Sequence, residues 1–242
     1  MTRRFCVVSR EMPDEIQAKL AKTFDEAIPL PPDEDLAGPV QCHPDMIFAV
    51  LAGRMFLSER YFHAHPTTVE RIAQLGGFAL YLLNDVRNAR YPHDVAFNIV
   101  VWHDTLICRP DVTCPALLDH AKARGYRVIP VKQGYTGCSC LVTEHAVLTF
   151  DRGIAKTLVR ENVPCVLLDE GGISLPGYNC GFLGGAGGYH DGTIYICGNS
   201  ATLPCSNQLN STGYRVISLL NSPVIDYGGI KIFEKTESSF ID

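Results

Sequence analysis

Short runs of apolar residues, separated by stretches rich in Gly, Pro, Asp and Asn, recur along the whole chain. The runs at residues 46–50, 55–57 and 78–82 are typical of buried strands, because they are brief, apolar and bounded by turn-forming residues. Between the last two runs, Pro66 and the pair Gly76-Gly77 enclose a segment of helical length. Pro is favoured in the first turn of a helix and Gly just after its end. The pattern predicts a unit with the order strand, strand, helix, strand.

The unit is repeated. The pentapeptide Gly-Tyr-Arg-Val-Ile at 125–129 recurs at 213–217, 88 residues later, and each copy follows a helix-like segment. Comparable strands begin at residues 27, 78, 126, 165 and 214, which gives a period of roughly 47 residues. The distance of 88 residues is therefore about two periods.

The remaining units follow the same plan. The predicted elements are strands at 95–101, 105–108 and 126–131 with a helix from Pro110-Asp111; strands at 140–143, 146–150 and 165–168 with a helix capped by Asp151; and strands at 193–197 and 214–219 with a weak helix at 204–210. The fifth unit is split, with one strand at 230–233 and the rest (strands 5–9 and 27–30, helix 13–24) at the N-terminus.

Pairing of the two ends would close the units into a ring and remove exposed sheet edges. We therefore predict one domain over residues 1–242, an α/β fold of five ββαβ units arranged as an α/β-propeller. An ordinary mixed α/β sheet is the alternative.

Composition limits the function classes. The 242 residues are 46% hydrophobic and 19% charged, with 21 Lys and Arg against 26 Asp and Glu and a net charge of −5. A folded protein without a basic footprint is expected, which argues against a nucleic-acid partner. No apolar stretch has the length of a membrane helix, and the first residues lack the apolar core of a signal peptide. We expect a cytoplasmic protein without a membrane partner; a homodimer is left open.

The ten cysteines contain no C-x-x-C pair, and the chain is too long for a small disulfide scaffold. Four of them lie in apolar runs and are interpreted as core residues: Cys6, Cys108, Cys165 and Cys197. Four others stand at loop edges beside Gly, His or Pro: Cys42, Cys138, Cys140 and Cys180. The second group holds the candidates for chemistry.

In a ring of this kind, the loops before the first strand of each unit would meet at one axis. Here these loops are rich in Cys, His, Asp and Gly. They are Cys42-His43-Pro44-Asp45, Tyr91-Pro92-His93-Asp94, the segment from Gly134 to Cys140, the segment from Gly184 to Asp191, and Asp226-Tyr227-Gly228-Gly229. A thiolate can attack an electrophilic carbon, an imidazole can move protons, and paired carboxylates can hold a planar cation by bidentate hydrogen bonds. The set suits nucleophilic catalysis on a cationic substrate.

The string His43-Pro-Asp45-Met-Ile-Phe48 resembles the H-x-D-x-x-F motif of the guanidine-modifying enzymes. These have the pentein fold and include arginine deiminases, dimethylarginine hydrolases and amidinotransferases. Gly137-Cys138-Ser139, followed by an apolar strand, is similar to their nucleophile loop. Together with Asp226-Tyr-Gly-Gly229, the motifs resemble an uncharacterised bacterial family of that fold, over nearly the whole chain.

The resemblance implies roles for three catalytic residues. Cys138 would attack the guanidinium carbon and form a covalent thiouronium-type intermediate. His43 would protonate the leaving amine and then activate water, and Asp45 would bind the guanidinium nitrogens. The order along the chain is circularly shifted relative to the family, because the nucleophile lies in mid-chain and not near the C-terminus.

The resemblance also implies a substrate-binding set, consisting of Asp191, Asp226, Asp94, His93 and His190. The implied function is that of a hydrolase or transferase acting on a small guanidino or amidino compound without a cofactor.

Other interpretations stay open. The reactive thiol could be Cys140 or Cys180 instead of Cys138. A zinc ion could sit among the His and Cys residues of the loops, although none of them has H-x3-H or C-x2-C spacing. The rival from another class is a non-catalytic binding protein, since the pentein fold also includes ribosome anti-association factors. The presence of a thiol, an imidazole and two acids in neighbouring loops favours the enzyme.

Overall fold

Small sheets of three strands, and one of two, make up the structure with helices beside them; it is a computed structural model that describes residues 2–84 and 88–236. In chain order the strands are β1 (Thr2–Ser9), β2 (Glu26–Leu30), β3 (Phe48–Leu51), β4 (Arg54–Ser58), β5 (Ala79–Leu83), β6 (Val100–Trp102), β7 (Thr105–Cys108), β8 (Arg127–Pro130), β9 (Cys140–Val142), β10 (Val147–Thr149), β11 (Cys165–Leu167), β12 (Ile173–Ser174), β13 (Gly187–His190), β14 (Thr193–Ile196), β15 (Arg215–Ser218), β16 (Val224–Ile225) and β17 (Lys231–Thr236). The helices are α1 (Asp14–Thr23), α2 (Pro44–Ile47), α3 (Glu59–Ala64), α4 (Pro66–Gly76), α5 (Pro115–Ala123), α6 (Thr136–Ser139), α7 (Arg152–Arg160) and α8 (Ser206–Asn210). The fold is mixed α/β.

One strand order recurs in these sheets. In the sheet β3-β4-β5, β3 is antiparallel to β4, and β4 is parallel to β5 after the chain has passed through α3 and α4. The sheets β6-β7-β8, β9-β10-β11 and β13-β14-β15 have the same order. A parallel neighbour requires a crossover connection, which the helices supply. The repeated unit predicted from the apolar pattern is therefore present.

The fifth sheet joins the two ends of the chain. Strand β17 is antiparallel to β1, with Phe233 opposite Phe5, and β1 is parallel to β2 beyond α1. This is the split unit that the sequence predicts. The closure of the units into a five-fold ring stays a prediction.

The prediction for the fourth unit was wrong in one respect. Its first strand is β13, which pairs with β14 through a turn at Asp191 and Gly192, where both residues have positive φ. Residues 184–191 were predicted to form a loop, because two glycines begin the strand and glycine is depleted in strands. A Cβ at Gly187 would meet the carbonyl oxygen of Tyr195, so the glycine permits the close backbone approach.

The helix starts match the sequence to different degrees. The Asp151 side chain accepts a hydrogen bond of 2.8 Å from the backbone N–H of Ile154 and caps α7, as predicted. Helix α5 begins at Pro115 and not at Pro110, because residues 109–113 form a separate turn in which the Thr113 N–H donates to the Arg109 carbonyl.

The core lies between the sheets and their helices. Of the cysteines assigned to it, Cys6, Cys108 and Cys197 are buried and Cys165 is partly buried. All ten cysteines of the chain are free thiols.

A cavity of about 290 Å³ lies where the first strands of the five units meet. We call it the central cavity. Its wall includes one or more residues of each of these strands: Val50 of β3, Val101 of β6, Leu141 of β9, Gly188 of β13 and Ile232 of β17. The loops that enter these strands are therefore brought to a common region. Within the described residues, no helix has the length and apolarity to cross a membrane.

Candidate active site

Cys138 lies in α6, the single helical turn that leads into β9, and a buried amide holds this turn. The Asn98 Oδ1 atom accepts hydrogen bonds from the backbone N–H groups of Gly137 at 2.7 Å and Cys138 at 3.1 Å. The Asn98 Nδ2 atom lies 3.0 Å from the Cys138 Sγ atom and donates to the Asp45 carbonyl at 3.0 Å. One side chain thus connects the thiol with the turn that carries His43 and Asp45.

Asp45 is buried in α2, next to the thiol. Its backbone N–H donates to the Gly228 carbonyl at 3.3 Å, and neither carboxyl oxygen has a hydrogen-bond partner of ordinary geometry among the described residues. Burial raises the pKa of Asp45, and the charge of Lys231 and hydrogen bonding to the Cys138 thiol only partly offset this. A buried carboxyl group whose oxygens lack partners of ordinary hydrogen-bond geometry is costly and is a typical feature of a site that receives a ligand.

Asp226 and His43 form a second buried pair. The His43 Nδ1 atom lies 3.8 Å from the Asp226 Oδ1 atom, and both residues are 2% exposed. The Asp226 carboxyl group accepts hydrogen bonds from the N–H groups of Phe182 at 2.8 Å and Gly228 at 2.9 Å. Burial, together with the charge of Asp45, raises the pKa of Asp226 to about 7, and burial lowers the pKa of His43 to about 4.

The local chain requires glycine beside this pair. Gly228 has a φ of 77°, and a Cβ there would collide with the His43 side chain. Gly228 in the Asp226 motif therefore lets this loop pass close to His43.

The electrostatics of the cluster favour a cation. Burial raises the pKa of Cys138 well above that of an ordinary thiol, and the charges of Asp45 and Asp226 raise it further. Without a ligand the thiol is protonated at neutral pH. Lys231 of β17 lies near both carboxyl groups and lowers their pKa values. A planar cation placed between Asp45 and Asp226 would satisfy their oxygens and favour the thiolate.

A second cavity, of about 350 Å³, opens onto His43 and Asp226, and we call it the outer cavity. It shares no lining residue with the central cavity, whose wall includes Asp45 and Lys231. Cys138 is 4% exposed. A ligand therefore reaches the cluster either from the outer cavity, at His43 and Asp226, or from the central cavity, at Asp45.

The structure does not bring His190 and Asp191 to this cluster, which corrects the prediction for both. In the fourth unit, the segment that contacts the cluster is at Gly185, whose backbone N–H donates a hydrogen bond of 3.1 Å to the Cys138 carbonyl. Asp191 lies at the far turn of the hairpin, four residues beyond Gly187, or about 13 Å along an extended strand. There the His190 Nε2 atom is 3.7 Å from the Glu234 Oε2 atom. The error follows from the missed strand β13.

Asp94 is buried at the edge of the cluster, whereas its neighbour His93 is exposed. The Tyr135 hydroxyl donates to the Asp94 Oδ2 atom at 2.8 Å, and the Oδ1 atom has no partner among the described residues. Burial raises the pKa of Asp94. Because Tyr135 precedes Cys138 by three residues, Asp94 supports the turn that carries Cys138.

The other candidate thiols have different surroundings from Cys138. Cys140 is buried in β9 and lines the central cavity, and burial raises its pKa. Cys180 is exposed and lines a different cavity, with Phe182 and Asp151. No group of three or more His, Cys, Asp or Glu side chains in the described residues is arranged to hold a metal ion.

Two residues of the cluster, Asn98 and Lys231, are absent from the set predicted from the sequence. Asn98 gave no signal, since it lies in an apolar run that was interpreted as a strand. Lys231 did give a signal in the sequence, because it is a lone charged residue between Ile230 and Ile232 in a predicted strand. A charged residue in a buried strand points to a charged interior.

Comparison with known proteins establishes the fold. The model of a family described as "Family of unknown function (DUF6873)" matches residues 7–231. No curated protein matches the chain significantly.

One similar solved structure is that of a dimethylarginine dimethylaminohydrolase variant with glycine in place of a histidine, in an adduct with S-methyl-L-thiocitrulline. It has 11% sequence identity to this chain and a TM-score of 0.56. The match covers 94% of this chain and 93% of that one. The enzyme from Pseudomonas aeruginosa, a cysteine-to-serine variant complexed with citrulline, has 12% identity and a TM-score of 0.51, over 97% of this chain and 100% of that one. ArgZ, a cyanobacterial arginine dihydrolase, has 13% identity and a TM-score of 0.53, over 99% of this chain but 40% of that one. These are pentein-fold, guanidino-modifying enzymes, which confirms the resemblance, and at such identities the likeness concerns the fold alone.

Proposed function

The chain belongs to DUF6873, a family of unknown function, and we propose that it is a cysteine-dependent hydrolase or transferase of guanidino or amidino compounds. The observation that carries the proposal is the placement of the Cys138 thiol. It lies beside the Asn98 amide and between the charges of two buried acids, Asp45 and Asp226, the second of which is paired with His43.

The fold neighbours support the reaction class. One is a dimethylarginine dimethylaminohydrolase adduct, and another is an arginine dihydrolase. The dimethylarginine dimethylaminohydrolase adduct has a histidine replaced, and the citrulline complex has a cysteine replaced. These are the residue types of His43 and Cys138.

In this proposal the whole chain forms one pentein domain, with the five units closed into a ring. Two observations support the ring. Residues of all five first strands line the central cavity, and β17 pairs with β1 at the junction of the two chain ends. The loops of the units would then converge on Cys138.

The reaction begins with the cation. Asp45 and Asp226 hold the guanidinium nitrogens, and the positive charge lowers the pKa of Cys138 toward the working pH. His43, neutral at pH 7 because its pKa is about 4, accepts the thiol proton. The thiolate attacks the guanidinium carbon and forms the S–C bond.

His43 then donates the proton to the departing amine as the C–N bond breaks, which leaves a thiouronium-type intermediate on Cys138. In hydrolysis, His43 accepts one proton from water, the oxygen adds to the carbon, and the thiolate leaves and recovers that proton. The second water proton passes from the product oxygen to the released amine. In transfer, an acceptor amine takes the place of water. The proton count balances in both halves.

The rival function is that of a non-catalytic binding protein for a small ligand. The burial of Cys138 favours it, because a thiol that is 4% exposed is poorly accessible to an attacked substrate. The cytoplasmic location and the homodimer also stay predictions.

A screen of guanidino compounds for release of ammonia, urea or amine separates the two functions. We expect release with the unmodified chain, none with Cys138→Ala, and retained release with Cys140→Ala, which removes a neighbouring buried thiol. Binding of a guanidino compound without release would support the rival.

A further inference from the structure

The outer cavity has the features of a binding site for the tail of a substrate. His43 and Asp226 line it, so a guanidine group held at these residues would project its tail into it. Several apolar side chains form the wall: Pro39, Leu175, Pro176, Ile225 and Tyr227. Such a surface suits an aliphatic chain, whose burial is favourable.

The charge of this cavity is negative. The described residues that line it include two acids, Asp226 and Glu11, and no Lys or Arg. Glu11 is exposed, in contrast to Asp226. Glu11 also raises the pKa of the neighbouring Cys42 more strongly than Arg10 lowers it. A carboxylate at the end of a tail would meet like charge here, whereas an amine would meet opposite charge.

The central cavity would offer a carboxylate the ammonium group of Lys231. That group already lies near two acids, since it lowers the pKa values of both Asp45 and Asp226. A tail directed there would compete with these carboxyl groups for one cation. A tail in the outer cavity would not compete with Asp45 and Asp226 for the Lys231 ammonium group.

Building on the proposed function, we infer that the substrate is a guanidino compound with a terminal amine. Its guanidinium group lies at Asp226 and Asp45, its aliphatic tail fills the outer cavity, and its amine lies beside Glu11.

Three probes with the same four-carbon tail test this inference: aminobutylguanidine, butylguanidine and guanidinobutyrate. We expect kcat/KM to fall in that order, with at least about a fivefold difference between the first and the last, as opposite and like charge at a partly exposed acid would give. Glu11→Gln should remove most of the advantage of the amine. Glu70→Gln removes the same charge from exposed α4, away from the outer cavity, and should leave the order unchanged.

Equal turnover of the three probes, or an amine preference that survives in Glu11→Gln, would overturn the inference and leave the proposed function standing. A preference for guanidinobutyrate that disappears in Lys231→Met would also overturn it and assign the tail to the central cavity. If none of the three is turned over or bound, as measured by calorimetry, the proposed function fails together with the inference.

Discussion

The Asn98 Nδ2 atom lies 3.0 Å from the Cys138 Sγ atom, while the Oδ1 atom of the same amide accepts two backbone hydrogen bonds from the turn that carries the thiol. The side chain is 1% exposed. A single buried amide thus fixes both the backbone and the sulfur of Cys138.

Asn98→Ala should therefore destabilise the protein by about 2–4 kcal/mol, because it leaves the buried N–H groups of Gly137 and Cys138 without an acceptor. Denaturant unfolding measures this change. Asn207→Ala, at an exposed position in α8, is the matched control and should change the free energy of unfolding by less than about 0.5 kcal/mol. Equal effects of the two substitutions would show that the Asn98 hydrogen bonds contribute little.

Asp45→Asn should make Cys138 more reactive in the protein without ligand. The charge of Asp45 raises the pKa of the thiol, so its removal increases the thiolate fraction, about tenfold for each unit by which the pKa falls. Alkylation by iodoacetamide at pH 8, followed residue by residue with mass spectrometry, measures the rate.

The control for this prediction is Asp119→Asn, which removes an exposed charge from α5. It should leave the rate at Cys138 unchanged. In the unmodified protein the exposed Cys180 should be labelled before the buried Cys138. A Cys138 rate that does not rise in Asp45→Asn would mean that burial alone controls the thiol.

The dependence of stability on pH should report Asp226. Its pKa in the folded protein is about 7, above the ordinary value of about 3.9. The folded state therefore retains a proton that the unfolded state has lost, and this stabilisation is present below about pH 4 and disappears as the pH rises to about 7. Asp226→Asn should shift the slope of unfolding free energy against pH upward by as much as about 1.4 kcal/mol per pH unit in that interval.

His43 should act with the opposite sign. Its pKa is lowered to about 4, below the ordinary value of about 6.5, so its contribution is present above about pH 6.5 and is lost as the pH falls toward 4. His43→Gln should shift the slope downward in that range. Unfolding curves measured at several pH values test both variants, since a pH-independent loss of stability leaves a slope unchanged. Curves parallel to those of the unmodified protein would contradict the assigned pKa shifts.

Gly228→Ala should cost more stability than Gly213→Ala. Both positions have a positive φ, of 77° and 83°, but only the first would place a Cβ against the His43 side chain. The shared backbone strain is about 1 kcal/mol, and the difference between the two variants isolates the collision. We expect Gly228→Ala to lose activity as well, because His43 must move. Equal unfolding free energies for the two variants would indicate that the loop at Gly228 adjusts freely.

Much of the fold could be predicted because each unit repeats the same apolar pattern, and a repeat corrects errors in any one copy. The unit with β13 was the exception, since Gly187 and Gly188 form a strand through close packing of backbones, which residue propensities do not show. That error carried Asp191 and His190 into the predicted site. Loops of mixed Cys, His and Asp content, together with the family resemblance, led to the prediction of His43, Asp45, Cys138 and Asp226, and the structure brings them into contact or electrostatic proximity. Asn98 could not be found, because an amide that binds backbone leaves no pattern in a single sequence.

The central claim is that Cys138 forms a covalent bond with the guanidino carbon of a substrate. Mass spectrometry of the protein, acid-quenched during turnover of a compound from the guanidino screen, tests it most directly. The account predicts an added mass equal to one amidine group on the peptide that contains Cys138. The adduct should be absent in Cys138→Ser and should form more slowly in His43→Gly, because His43 accepts the thiol proton and donates it to the departing amine. Turnover without any adduct on Cys138 in the unmodified protein, or turnover that continues in Cys138→Ser, would contradict the account.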